Sequence, residues 1–187
     1  MDIENIDYFY NESKSIYKKL DNKNQKLFAL GLILLLKSKI EKFLIEKDFS
    51  IYQQLSKLIN ILKDNIINNN VRKIKFRYIE DDDDIIEYLI YNDIVSIFIT
   101  IEDFDNKTCV DLSDTLVIFL DSVDLIIQSY YNFEFIGTEE EKILEDNNLN
   151  NQIIIILNKL IHYVKNTKVV NLEEYLMFID NFKIKWL

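Results

Sequence analysis

The chain has 187 residues, of which 49% are hydrophobic, and its formal net charge at pH 7 is −10. A chain of this length buries about 70% of its unfolded surface, so a core forms without disulfides or metals. The single cysteine, Cys109, excludes both an intramolecular disulfide and a multi-cysteine zinc cluster.

The apolar runs are too short for a membrane protein. The longest, Leu32 to Leu36 and Ile153 to Leu157, fall far below the roughly 18–20 residues that span a bilayer. The first four residues, two of them acidic, lack the basic and apolar regions of a signal peptide. We therefore expect a soluble, cytoplasmic protein with no membrane contact.

Turn-forming residues are scarce, because proline is absent and the two glycines are Gly31 and Gly137. Tight hairpins rely on residues that reach positive φ or fix a turn, although Asn and Asp replace glycine at some turns. The composition therefore favours long helices joined by Asn/Asp-rich loops, and it predicts an all-α fold.

Apolar spacing predicts seven helices, with boundaries good to two to four residues. Ser50 followed by Gln53 fits a capping box, and Asn171 before Glu174 gives a second N-cap signal. The second helix is apolar around much of its circumference, which places it at the centre of a bundle. The predicted helices span about residues 6–20, 23–46, 51–67, 83–103, 112–131, 149–166 and 172–180.

Nine apolar side chains on these helices are the predicted core. They are Leu30, Leu34, Phe43, Leu55, Leu58, Leu62, Leu116, Leu157 and Leu160. No internal repeat and no linker divides the chain, so we expect one domain over residues 1–187, a bundle of about six or seven helices.

Two segments keep an α+β alternative open. Residues 71–79 alternate apolar and basic side chains, which is a strand pattern, and residues 94–101 are rich in β-branched side chains. A small strand element at these two places is the alternative to an all-α fold.

The charge is distributed unevenly along the chain. Residues 1–77 carry fifteen Lys/Arg against nine Asp/Glu, and residues 147–187 carry five against three. Residues 78–146 carry twenty acidic side chains against Lys107 and Lys142. Such a block is either a solvated face that maintains solubility or a surface that attracts a basic partner over a distance.

We predict that the acidic block binds a basic protein, with nearby tyrosines as interface anchors. A nucleic-acid partner is disfavoured, because the block repels phosphates and no basic stripe with interleaved aromatics extends beyond residues 72–77. The predicted contact residues, expected on one side of the molecule, are Asp81, Asp82, Asp83, Asp84, Glu87, Glu102, Asp103, Asp105, Tyr130 and Tyr131.

Catalytic signals are weak, and we predict that the protein is not an enzyme and needs no cofactor. Asp83-Asp84-Ile85-Ile86-Glu87 and Asn92-Asp93-Ile94-Val95-Ser96 have the outline of the two metal motifs of class I terpenoid synthases. However, Thr100 stands where the second motif requires an acid, and the two motifs nearly adjoin. His162 and Cys109 are each the sole residue of their type, and no phosphate-binding or zinc-protease motif occurs.

From Leu20, the order Leu-x₄-Gln-x₂-Phe-Ala leads into an apolar helix, then Phe43, a break at residues 48–50, and Tyr52-x₂-Leu55. This order resembles the YjaG family of uncharacterised small bacterial helical proteins, whose acidic stretch follows at a similar place. The family's Glu-Arg and Pro-Asn-Tyr signature is missing where residues 34–39 stand. The resemblance implies an all-helical fold and no known activity.

The composition is also similar to bacterial immunity proteins of polymorphic toxin systems, which are commonly small, acidic and single-domain. That similarity implies a protein that binds and occludes a basic toxin domain, such as a nuclease. The alternative is a helical adaptor or regulatory protein, including a viral helical-bundle host modulator. A metal-dependent enzyme is the third hypothesis.

Overall fold

A computed structural model of the chain describes residues 6–68, 77–79, 85–131, 148–168 and 170–186. Within these ranges it contains seven helices and no strand. The helices are α1 (Ile6–Tyr17), α2 (Asn22–Lys47), α3 (Phe49–Asn68), α4 (Ile86–Asp105), α5 (Ser113–Tyr131), α6 (Asn148–Asn166) and α7 (Leu172–Asp180). The predicted all-α bundle is confirmed for this part of the chain.

Helix α2 lies at the centre of the bundle, as its sequence predicts. It packs against α3, α4, α5, α6 and α7, while α1 packs on α5 and α5 packs on α4. Fourteen of its 26 residues are buried. A helix with apolar side chains on all sides is stable in water only when neighbours cover it on all sides.

The N-caps agree with the sequence at one helix and differ at another. The Asn171 side chain accepts a hydrogen bond from the Glu174 amide at 3.3 Å, as predicted. At α3 the predicted cap is wrong, since Asp48 accepts from the Ile51 amide at 3.2 Å and the helix begins at Phe49. Ser50 lies inside the first turn and donates its hydroxyl to the same carboxylate.

Seven of the nine predicted core side chains are buried, and the two exceptions lie on α2. Leu34 is half-buried because it lines a cleft between α2, α3 and α7. Phe43 is also half-buried, and its ring packs edge-on against Tyr88 of α4 at 5.4 Å.

The strand alternative is wrong for residues 94–101, which form the second half of α4. The buried positions there are Ile94, Val95, Ile97, Phe98 and Ile101. Their spacing is that of a helix face, so tertiary burial outweighs the strand preference of β-branched residues. Residues 77–79 have no regular secondary structure, and residues 71–76 lie outside the described ranges.

None of the described helices is both long enough and apolar enough to cross a bilayer.

Candidate functional site

The α4–α5 pair carries the described part of the acidic block. The two helices pack together and are joined by residues 106–112. The Ser122 hydroxyl of α5 donates to the Asp93 carboxylate of α4 at 2.8 Å. With so short a connection, this contact sets an antiparallel register in which residues near 103 face the start of α5.

Helix α1 adds a tyrosine to the same region. The Tyr10 hydroxyl lies 2.9 Å from Asp124 Oδ2 and 3.1 Å from Asp121 Oδ1, so one donor contacts two carboxylates. Asp121 and Asp124 are three residues apart on α5, which places them on one side of that helix. Three helices thus bring Tyr10, Asp93, Asp121 and Asp124 together, and we call these four residues the acidic face.

The carboxylates of the acidic face are close enough to repel one another. Burial raises the pKa of Asp124, the Tyr10 hydrogen bond lowers it, and the charges of Asp121 and Asp7 raise it further. Burial likewise raises the pKa of Asp93, with the Ser122 hydrogen bond opposing and the Asp121 charge adding. The charge of Asp121 therefore raises the pKa of both other carboxylates. Holding the charged groups this close costs electrostatic free energy in the folded state.

A second cluster of acidic side chains lies near Cys109, in the loop between α4 and α5. The pKa of this thiol is raised by burial and then by the charges of Asp103, Asp111 and Asp114. The raised pKa disfavours the thiolate, which argues against a nucleophilic role for Cys109. Glu102, which is half-buried, and Asp103, which is exposed, belong to this end of α4.

Asp105 does not project from the acidic side, and this part of the prediction is wrong. Its carboxylate forms an ion pair with Lys26 of α2 in which the two side chains are 7% and 6% exposed. Asn65 of α3 donates to Asp105 at 2.7 Å and accepts from Lys26 at 3.1 Å. These three residues tie α2, α3 and α4 together inside the protein.

Tyr130 and Tyr131 are exposed at the end of α5, with ring centroids 5.1 Å apart and planes at 85°. Because a helix rises 1.5 Å per residue, Tyr130 lies about 25 Å along α5 from its start at Ser113. The register places Glu102 and Asp103 beside that start. The expected proximity of these acids to the two tyrosines is therefore wrong.

Glu87, another predicted contact residue, lies at the opposite end of α4. Glu87 is half-buried and raises the pKa of Lys39 of α2, although burial lowers that pKa more strongly. Asp81, Asp82, Asp83 and Asp84 lie outside the described residues.

The residues of the metal-motif outline that are described form hydrogen bonds within the protein. The Asn92 side chain accepts from the Ile79 amide at 3.0 Å and donates to the Ile79 carbonyl at 3.1 Å. The Ser96 hydroxyl donates to the Asn92 carbonyl, and Thr100 donates to that of Ser96. Among the described residues, no three His, Cys, Asp or Glu side chains are arranged to hold a metal ion.

His162 lies on the exposed side of α6. Its Nε2 is 3.1 Å from the Asn166 side-chain nitrogen, one turn further along the same helix.

The sequence reading missed the acidic face as a unit. Asp93, Asp121 and Asp124 belong to the acidic block, but they are far apart in the chain, and Tyr10 lies in the block with excess basic residues. In the sequence, the three-residue spacing of Asp121 and Asp124 indicates that these two side chains share one side of a helix. The contact with Tyr10, 111 residues away, depends on how α1 packs on α5.

Comparison with known proteins finds no family model that matches the chain, no similar curated protein and no similar solved structure.

Proposed function

We propose that the protein is an immunity-type protein that binds a basic toxin domain and occludes it, with the acidic face as the centre of the interface. The observation that carries the proposal is the convergence of Asp93, Asp121 and Asp124 from two helices, with Asp121 raising the pKa of both neighbours. The toxin class is inferred from the compositional similarity to immunity proteins.

The electrostatic surroundings support a basic partner. Residues 85–131 contain nine acidic side chains and one basic side chain, Lys107. A Lys or Arg side chain of a partner would offset the mutual repulsion of the carboxylates. The carboxylates would attract such a side chain over several ångströms. Asp93 and Asp124 are half-buried, and each lies close enough to the exposed Asp121 for its charge to raise their pKa values.

Contact area is available along the same helix. Tyr130 and Tyr131 are 59% and 41% exposed, and Tyr131 lies seven residues beyond Asp124, about two turns and 10 Å along the same side of α5. Tyrosine combines a large apolar ring with a polar hydroxyl, and it is enriched among the residues that dominate binding energy. A partner that spans this distance would contact both the carboxylates and the Tyr131 ring.

The test is growth rescue with the genes that flank this one in its source genome. Each is expressed alone and then together with this chain. We expect one of them to encode a basic domain that arrests growth alone and not in the presence of the protein. The triple variant Asp93→Asn, Asp121→Asn, Asp124→Asn keeps side-chain size and removes three charges, and it should rescue poorly.

The matched control removes three charges elsewhere. Glu46, Glu173 and Glu174 are exposed on α2 and α7, and their replacement by Gln produces the same net charge. This control should rescue as well as the original protein. Equal rescue by the two variants would mean that the acidic face only contributes to solubility, and a toxin that is not neutralised would exclude the immunity role.

A further inference from the structure

A cleft of about 290 Å³ lies between α2, α3 and α7, three helices that contribute nothing to the acidic face. Sites for small ligands in helical proteins commonly form between helices, with apolar walls and a few polar groups. At about 30 Å³ for each water-sized group, the cleft has room for roughly ten non-hydrogen atoms.

Two lysines and one carboxylate, Asp180, line this cleft. Lys37 extends from α2 and Lys63 from α3. Burial lowers the pKa of Lys63, and the charge of Lys37 lowers it further, so the two ammonium groups repel each other across the cleft. The carboxylate of Asp180 on α7, which also lines the cleft, raises the pKa of Lys63 by less than the Lys37 charge lowers it.

Lys37 is held in place by two contacts. Its ammonium group forms an ion pair with Glu41 one turn further along α2, and it lies 5.8 Å from the centroid of the Tyr52 ring. Because Glu41 already pairs with Lys37, Lys63 is the lysine that we assign to a bound anion.

The remaining walls are divided into a polar and an apolar part. Ser56 and Asn60 are four residues apart on α3 and present a hydroxyl and an amide to the cleft. Leu34, Ile59 and Leu176 form the apolar part, one residue from each helix. A cation beside hydrogen-bonding groups and an apolar wall is complementary to a small molecule with a charged head and a short hydrocarbon chain.

We propose that this cleft binds a small organic carboxylate, with its head group at Lys63 and Asn60 and its hydrocarbon chain against Leu34, Ile59 and Leu176. The ammonium group supplies charge, and the Asn60 amide supplies a directed donor. The apolar wall distinguishes such a molecule from an inorganic anion.

Calorimetric titration of the full chain with hexanoate tests this proposal, and hexanamide is the neutral probe of equal length. We expect saturable hexanoate binding that is at least tenfold tighter than that of hexanamide. Lys63→Met should weaken hexanoate binding at least tenfold. Lys57→Met is the matched control, since Lys57 is an exposed lysine of the same helix outside this cleft, and it should bind as the original protein does.

The circular dichroism spectrum and thermal midpoint of each variant establish that it folds. Lys63→Gln, which retains a polar side chain, provides a second neutral variant with the same expected loss. The proposal is overturned by equal binding of hexanoate and hexanamide, by an absence of saturable binding, or by equal effects of the Lys63 and Lys57 variants.

Discussion

The hydroxyl of Tyr175 on α7 occupies the position that a side chain at residue 31 of α2 would need. A Cβ atom at Gly31 would overlap Tyr175 Oη and lie 3.0 Å from both terminal methyl groups of Leu160. The Tyr175 hydroxyl donates to the Leu27 carbonyl at 2.7 Å, so the ring is fixed against α2. The absence of a side chain at Gly31 therefore lets α7 pack closely against α2, and this glycine does not form a turn.

We expect Gly31→Ala to destabilise the protein even though alanine is the better helix former. Overpacking a core costs typically 1–3 kcal/mol, which exceeds the gain of about 1 kcal/mol from helix propensity. Urea unfolding measures the difference in the free energy of unfolding.

Tyr175→Phe removes the clashing oxygen and provides the second arm of a double-mutant cycle. Gly31→Ala should cost less in the Tyr175→Phe background than in the original protein, because the two sites are in contact. An additive result would show that the hydroxyl is not the obstacle.

We expect a large loss of stability when one partner of the buried Lys26–Asp105 ion pair is removed. Lys26→Met leaves the Asp105 carboxylate, 7% exposed, with Asn65 as its remaining partner in the trio. A buried charge without a counter-ion costs roughly 3–5 kcal/mol. The double variant Lys26→Met, Asp105→Asn removes both charges and should recover most of that loss. The idea fails if the single and double variants unfold at the same urea concentration.

Because the pKa values of Asp93 and Asp124 are raised, we expect that replacing both residues by neutral ones stabilises the protein in a pH-dependent way. Their folded-state pKa values lie above the unfolded value, so the folded state binds these protons more tightly. The contribution of these two groups to the free energy of unfolding is fully present below the unfolded pKa of about 3.9. It is lost as the pH rises through the folded-state pKa. At pH 7, Asp93→Asn with Asp124→Asn should therefore unfold at higher urea concentration than the original protein.

That advantage should shrink as the pH falls through the folded-state pKa values of Asp93 and Asp124, because protonation then removes these two charges from the original protein. The groups that face them, Asp121, Asp7, Tyr10 and Ser122, remain unchanged in the variant. Asp103→Asn with Asp114→Asn, two exposed positions, is the control and should show no such trend. A variant advantage that does not depend on pH would refute the assignment.

Two rate measurements separate charge from contact area once a basic partner is identified. Replacing Asp81, Asp82, Asp83 and Asp84 by Asn should slow association at low salt and change it little at high salt. The Debye length is about 8 Å at physiological ionic strength, so salt screens an attraction that acts at a distance. Surface plasmon resonance at two salt concentrations measures this, and unchanged kinetics would identify the run as a solvated segment.

Tyr130→Ala should act on dissociation instead. Loss of a buried aromatic contact of about 1.4 kcal/mol corresponds to a tenfold faster off-rate, with little change in the on-rate. Tyr8→Ala is the matched control, since Tyr8 is also exposed but lies on α1. Equal effects of the two variants would remove the reason to treat Tyr130 as an anchor.

Local spacing alone predicted the seven described helices, the central position of α2 and the cap at Asn171. A helix face depends on residues three and four positions apart, so the chain records it directly. The concentration of acidic side chains after residue 78 is equally a property of the sequence.

The tertiary structure decided which of those acids meet. Asp105 turns inward to Lys26, while Asp93, Asp121 and Asp124 converge with Tyr10 across three helices. Their contacts join residues 29 to 114 positions apart, and they follow from the antiparallel register of α4 and α5 and from the docking of α1 on α5. Helical periodicity specifies the side of a helix on which a residue lies, and the packing of neighbouring helices specifies what that residue contacts.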